Sequence, residues 1–296
     1  MTAKNFLSGV VFALFFIFIF IDTTSETPPA IPEVIETRHA ILNISHQTFL
    51  YSVENAREYE VNGIIAAGVV PHHTTAAVMI SGFFSCAAEF ADYYDTVIIL
   101  APNHSGGFAE IIASERDWDV GDGVFTNRSF VADLISANEN AAISHSHMEE
   151  DHSASVLIPY VHYYLPNTQV ATVLLSRSLS FDGTIDFARW LENWIAESGE
   201  NILLVASIDF SHFLTPQESI EKDRITAYAI ATRDYRMIHS LNDAHLDSSA
   251  SLIVFLQYLD ALGIDPQIID HTNAAEFLNA GIPETTSYKI IIGELD

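Results

Sequence analysis

The chain has a single cysteine, Cys86, in 296 residues, which excludes an internal disulfide framework and any zinc site built from several cysteines. Cys86 lies in the apolar helical stretch AAVMISGFFSCAAEF and reads as a small buried residue. Positive charge is also scarce. Twelve Lys+Arg stand against 39 Asp+Glu, giving a net charge of −27 with no basic run anywhere, so little is available to neutralise a phosphate backbone and no nucleic-acid partner is expected. Acidity on this scale favours solubility or a saline setting, and draws cations to the surface without selecting among them. Internal repeats and low-complexity tracts are absent. The 49% hydrophobic share excludes wholesale disorder and, at this length, suits one large domain or two small ones.

What is present begins with an apolar N-terminus. Lys4 precedes FLSGVVFALFFIFIFI (Phe6–Ile21), an uncharged run slightly short of the ~17–25 residues of a spanning helix. No A-x-A-like cleavage site follows; Asp22-Thr23-Thr24-Ser25 leads into a Pro- and Glu-rich stretch ending near Glu36. The expected organisation is a signal anchor or signal peptide over 1–21, a linker over 22–36 and an α/β domain over 37–296. Lys4 on one side and the acidic flank on the other predict a membrane-anchored chain with its domain outside the cytoplasm. Secretion after signal cleavage is the alternative.

From about Thr37, short Val- and Ile-rich runs alternate with helical periodicity, the pattern of an α/β sheet. Strands are predicted at GIIAAGVV, TVIILAP, QVATVLLS, NILLVASID and the terminal SYKIIIGEL; helices are predicted around Thr75–Tyr93, Ser129–Ala137, Ser153–Tyr164, Thr184–Ser198, Pro216–Leu241 and Ser248–Leu262. DWDVGDGVF reads as a turn or short hairpin. The expected fold is a single α/β domain with a mostly parallel or mixed sheet flanked by helices, preceded by a membrane-directed helix.

Three predicted strands end alike. His72 and His73 follow the strand that finishes at Val70, His104 the one that finishes at Ala101, and Asp209 and His212 (in SIDFSHF) the one that finishes near Ser207. Open α/β sheets bind ligands at the carboxyl ends of their strands, so side chains spread over about 140 positions can converge on one cleft. Adjacent residues project in two directions, so at most one histidine of the doublet is expected to face the cleft. HSHMEEDHS adds His145, His147 and His152 ahead of a helix, with His145 and His147 read as solvated loop residues. Asp209 has a second reading as a turn cap before Ser211. Neutral imidazoles with a carboxylate suit a divalent transition metal. Two histidines and one carboxylate serve non-haem Fe(II), three ligands and a water serve catalytic zinc, and spacing does not choose between them.

VVPHH with a following helix that contains Ser81-Gly82, then LAPNHSG, DHSASVLIPYVHYYLP, SIDFSHF and the closing TSYKIIIGEL, taken in order, resemble the MEMO family. Its prokaryotic members are called AmmeMemoRadiSam system protein B. The resemblance covers about Thr37 to Asp296 and implies the α/β fold of the class III extradiol, LigB-like dioxygenases, which cleave catechol rings at a non-haem iron. It places the family's PHAGY histidine on His72, its PSH or PNH histidine on His104, the aspartate and histidine of SSDFSH on Asp209 and His212, and the EHS histidine on His152, with Asp151 in place of glutamate. The cysteine of a late CG pair falls on Asp247. A carboxylate there puts thiol-based redox activity in doubt and completes a two-histidine, one-carboxylate set; helix capping before Ser248 is the other reading. Thr74 and Thr75 replace the family's GY, and Ser155 and Leu157 replace polar residues after the EHS histidine, which implies a different substrate or little turnover.

The resemblance thus implies a divalent transition metal on His72, His104 and Asp247, Fe(II) first with Zn(II) or copper as alternatives. Catalysis would fall to His212 as general acid or base, with Asp209 as its orienter and His152 beside them. The expected function is a dioxygenase-like, metal-dependent oxidoreductase. A non-catalytic module for a small-molecule or peptide ligand, and a zinc-dependent hydrolase, are the alternatives. No oligomeric state follows from the sequence.

Overall fold

A computed structural model describes residues 38–278 and 281–295. The proposed anchor Phe6–Ile21 and the linker after it lie outside the described residues; among these, no helix is long and apolar enough to cross a membrane. The strands are β1 (His39–Ala40), β2 (Ile64–Val70), β3 (Thr96–Pro102), β4 (Ile111–Ala113), β5 (Trp118–Asp119), β6 (Ala141–Ile143), β7 (Gln169–Leu175), β8 (Ile202–Ser207), β9 (Phe210–Leu214), β10 (Gln267–Asn273) and β11 (Thr285–Leu295). The α-helices are α1 (His46–Glu54), α2 (Ala77–Ala88), α3 (Arg128–Ala137), α4 (His145–Glu150), α5 (His152–Ser155), α6 (Ile158–Tyr164), α7 (Phe181–Ser198), α8 (Pro216–Thr232), α9 (Tyr235–Ser240), α10 (Ser249–Leu262) and α11 (Ala274–Leu278).

Nine of these strands form one mixed sheet in the order β10-β11-β2-β8-β3-β7-β4-β6, with β9 also paired to β11. Its centre, β2-β8-β3-β7, is parallel, while β11 is antiparallel to β2 and β4 to β7. Helices cover both faces of that centre. Val97, Ile99 and Ala101 of β3 join an apolar cluster with Met79 and Phe83 of α2 and Tyr160 of α6; Ile98 and Leu100 join the opposite cluster with Phe187 of α7 and Phe255 of α10. A strand buried on both faces has no polar side to show, which is why β3 after Thr96, VIILAP, is continuously apolar. Each large side chain so buried contributes about 1.5–3 kcal/mol. At Gly68 of β2 an added Cβ would lie 2.2 Å from the Phe83 ring, so glycine is what lets α2 close on the sheet.

Several expected elements differ in detail. The helix around Thr75–Tyr93 is α2, preceded by a 3-10 turn at Thr74–Ala76. Ser153–Tyr164 divides into α5 and α6, where Pro159, in the first turn of α6, has no N–H to continue the preceding helix. Pro216–Leu241 divides at Arg233, whose left-handed φ of 54° ends α8. DWDVGDGVF does form a tight turn, with Trp118 and Val124 bridged antiparallel across it. The sequence pattern does not announce β4, β6 or β10: the first two are three residues long, and β10 is a largely exposed edge strand.

Candidate metal centre

Because β8 lies between β2 and β3, three adjacent parallel strands deliver His72, Asp209 and His104 to the same end of the sheet. His152 arrives at the start of α5, His212 from β9, and Asp247 from the turn ahead of α10. These six residues, with His73, Phe213, Asp243 and Thr286, line a cleft of about 490 Å³. All six candidate side chains therefore meet. Both histidines of the doublet line the cleft, which corrects the expectation of at most one. The chain leaves β2 and turns into the 3-10 helix at Thr74, so the two side chains do not alternate across a flat sheet. His72 is buried, while His73 is exposed with its Nδ1 2.6 Å from the Tyr288 hydroxyl.

His145 and His147 lie outside the cleft, but they are not solvated loop residues. Both sit half-buried in α4, with His145 Nδ1 2.9 Å from the Ser114 hydroxyl and His147 Nδ1 2.7 Å from that of Ser144. Ser144 is the N-cap of this helix, the local reason why HSHMEE is helical rather than loose.

Hydrogen bonds behind the two principal imidazoles decide which nitrogen each presents. The Ser207 hydroxyl donates to the Ser153 carbonyl at 2.6 Å, so towards His72 it accepts, from Nδ1–H at 3.1 Å. His72 Nε2 is left facing Asp247 Oδ2 at 3.2 Å and Asp209 Oδ2 at 3.6 Å. Asp151 accepts from the His104 backbone N–H at 2.8 Å and from its Nδ1–H at 3.0 Å, leaving Nε2 for the cleft. Outer partners of this kind set the tautomer and orientation of metal-binding histidines. Asp151 also caps α5 by accepting from the Ser153 N–H. Burial would raise its carboxyl, but His104 and Ser153 hold it well below the usual carboxylate range.

Asp247 is where the arrangement converges. Its buried Oδ2 lies 3.2 Å from His72 Nε2, 3.8 Å from His212 Nε2 and 4.0 Å from His104 Nε2. Its Oδ1, like His212 Nδ1, is buried with no hydrogen-bond partner among the described residues. The capping reading of Asp247 is corrected, because Ser248 is the N-cap of α10 and accepts from the Ser251 N–H. Asp247 is instead tied to Asp209, its N–H donating to the Asp209 carbonyl at 3.1 Å and its Oδ2 accepting from the Asp209 N–H at 3.3 Å. Asp209 is no turn cap either: its Oδ1 accepts from the His72 N–H at 3.1 Å, joining the ends of β8 and β2. His212 reaches the cleft through an irregularity in β9. Phe210 pairs with Ser287 and Leu214 with Thr285, so three residues of β9 oppose Thr286 alone, a bulge that re-aims side chains.

The electrostatics call for a cation. Burial would lower the pKa of His72, but the Asp209 and Asp247 carboxylates more than offset it and push it up to about 9. Burial would raise Asp247, and the facing histidines, His72 foremost, pull it down instead. The Nε2 lone pair of a neutral His72 would face two carboxylates, so a proton or a metal ion belongs between them. His152, stacked on His104 with ring centroids 4.6 Å apart, is lowered to about 4 by burial and by its neighbours His72 and His104. Two overlapping groups have ligand atoms within 4.8 Å of one another, His72 with His104 and His152, and His72 with Asp209 and Asp247. Nitrogen and oxygen donors, an orphaned carboxylate oxygen and rings oriented from behind fit a divalent transition metal. Sequence reasoning missed the supporting role of Asp151, although an Asp directly ahead of a helix signals a cap. Ser207, Phe213 and Asp243 had no comparable signal.

Similar proteins were found among curated sequences and solved structures. A MEMO1 family protein of Desulfurococcus amylolyticus is 24% identical over 188 residues, covering 62% of this chain and 66% of that protein. One of Methanothermobacter thermautotrophicus is 29% identical over 196 residues with the same coverage, 62% and 66%. One of Sulfurisphaera tokodaii is 24% identical over 226 residues, 70% of this chain and 76% of that protein. The chain thus spans 66%, just under two thirds, of the first two relatives. A crystal structure of an uncharacterized protein from Escherichia coli K12 superposes with a TM-score of 0.48 at 11% identity, over 77% of this chain and 99% of that one. The family model described as Memo-like protein matches residues 45–281, a span that holds all six candidate side chains, and the chain belongs to that family.

Proposed function

We propose that the protein is a metal-dependent oxidoreductase of dioxygenase-like chemistry, in which His72, His104 and Asp247 hold a divalent transition metal, Fe(II) first. The observation that carries this is the approach of three imidazole Nε2 atoms to one buried carboxylate oxygen, Asp247 Oδ2, at 3.2–4.0 Å, beside an unpartnered Oδ1. Two histidines and one carboxylate with open positions suit non-haem Fe(II). Such an ion supplies Lewis acidity and a centre for oxygen chemistry. The rest belongs to the chain's own residues. Ser207 and Asp151 orient the rings of His72 and His104, and Asp209 fixes the backbone of His72. His212, on the cleft wall, gives or takes a proton at the ligand; His152, neutral at pH 7, accepts one.

Protein reconstituted anaerobically with Fe(II) is expected to bind one equivalent and to consume oxygen when a catechol is added. Bound iron without oxygen uptake across a catechol panel would remove the oxidoreductase reading while leaving the metal centre. A second reading rests on the three-nitrogen group of His72, His104 and His152, which favours Zn(II) and a hydrolase. Retention of zinc in preference to iron, with loss on His152→Ala, would support it. A metal-free protein that binds a small molecule or peptide equally well would support a non-catalytic module instead.

A further inference from the structure

We propose that Phe213 is a ligand-stacking residue, and that the cleft takes a ligand in which a flat unsaturated group adjoins the metal-binding atoms. This rests on the reading of the cleft as a metal centre. Among the ten residues that line the cleft, Phe213 is the one whose side chain has no polar atom. It is 74% exposed, and neither apolar cluster of the described residues includes it, so its ring adds little to the fold by burial.

Its backbone is costly as well. At φ 54° Phe213 is left-handed, an outlier for a bulky residue that glycine or asparagine would occupy with less strain. Phe213 is one of the three residues of the bulge opposite Thr286, and this bulge brings His212 and Phe213 to the cleft side by side. Their ring centroids are 5.8 Å apart, and His212 Nε2 is 3.8 Å from Asp247 Oδ2. The Phe213 ring therefore stands one imidazole away from the carboxylate on which the metal ligands converge. A ligand whose donor atoms reach Asp247 and the histidines lays its next atoms along this ring, and a flat unsaturated group gains most from that contact. Strain kept at an exposed position beside a cleft points to use rather than to stability.

The test uses two chelators that bind a metal through the same hydroxamate oxygens and differ in the ring, benzohydroxamate and acetohydroxamate. Each is titrated into full-length protein loaded with Co(II), whose visible spectrum reports ligation, and the ratio of affinities is compared with the ratio for Co(II) free in solution. The wild type is expected to favour benzohydroxamate by a further ~3- to 10-fold, the range of aromatic stacking. Phe213→Ala and Phe213→Gly should return the ratio to its solution value with Co(II) affinity unchanged, and Phe213→Gly should not lower Tm. No added preference in the wild type, a preference that survives both substitutions, or a lowered Tm for Phe213→Gly would overturn the stacking role alone. Folded protein that takes up no Co(II) would overturn the metal reading and this inference with it.

Discussion

At the scale of the residue, the site is an arrangement of protons as much as of ligands. His72 has a folded pKa raised from 6.5 to about 9, so in metal-free protein its pairing with Asp209 and Asp247 stabilises the fold fully below pH 6.5. That contribution fades as the pH rises towards 9. Denaturant midpoints of the metal-free protein should fall across this window, and fall less in Asp247→Asn, which removes one carboxylate facing His72; equal slopes would contradict the pairing. Metal must displace the same proton, so loading at pH 7.5 should release about one proton per ion, measurable by calorimetry in buffers of different ionisation heat. Asp151→Asn should weaken metal binding by ~10–100-fold through loss of control over His104, as outer-partner changes do, with His145→Ala as the unaffected comparison. The histidines themselves were legible because each follows an apolar run that gives out. Asp151 and Ser207 were not, since an Asp or Ser near a histidine acquires its role only when α5 folds over the ends of β3 and β8.

At the scale of the element, the parallel strands were readable because burial on both faces leaves unbroken apolar runs, and β9 was not, because its register with β11 decides its shape. That register has its own support. Lys289 of β11 is buried, with its ammonium 2.8 Å from Asp223 Oδ1 of α8 and 4.5 Å from the centre of the Phe210 ring of β9. Asp223 also accepts from the Ser287 hydroxyl at 2.8 Å and pairs with His271 at 2.8 Å, and Ser287 is the residue opposite Phe210. Asp223→Asn would leave the Lys289 ammonium buried without its counter-ion, at a cost of about 3–5 kcal/mol. Chemical denaturation of the metal-free variant measures this; a loss below ~1 kcal/mol, as for a surface pair, would show that the pair is not what holds α8 to β11. The break between α5 and α6 carried a signal in Pro159, whereas the one at Arg233 was hidden because helical periodicity continues across it.

At the scale of the whole molecule, an acidic chain with 12 Lys+Arg concentrates imidazoles and carboxylates at one end of a mixed sheet. On the apolar run Phe6–Ile21, Lys4 before it and the acidic flank after it, we propose that the domain is anchored and faces away from the cytoplasm. Protease added to intact cells should remove the domain, and full protection would contradict this topology. The central claim, that His72, His104 and Asp247 hold one divalent transition metal, is tested most directly by elemental analysis of protein loaded anaerobically with Fe(II), beside its Asp247→Asn and His145→Ala variants. One metal per chain is expected in the wild type and in His145→Ala, with affinity lower by at least ~10-fold in Asp247→Asn. Folded wild-type protein that holds no metal, or Asp247→Asn that binds it as tightly as the wild type, would contradict the claim.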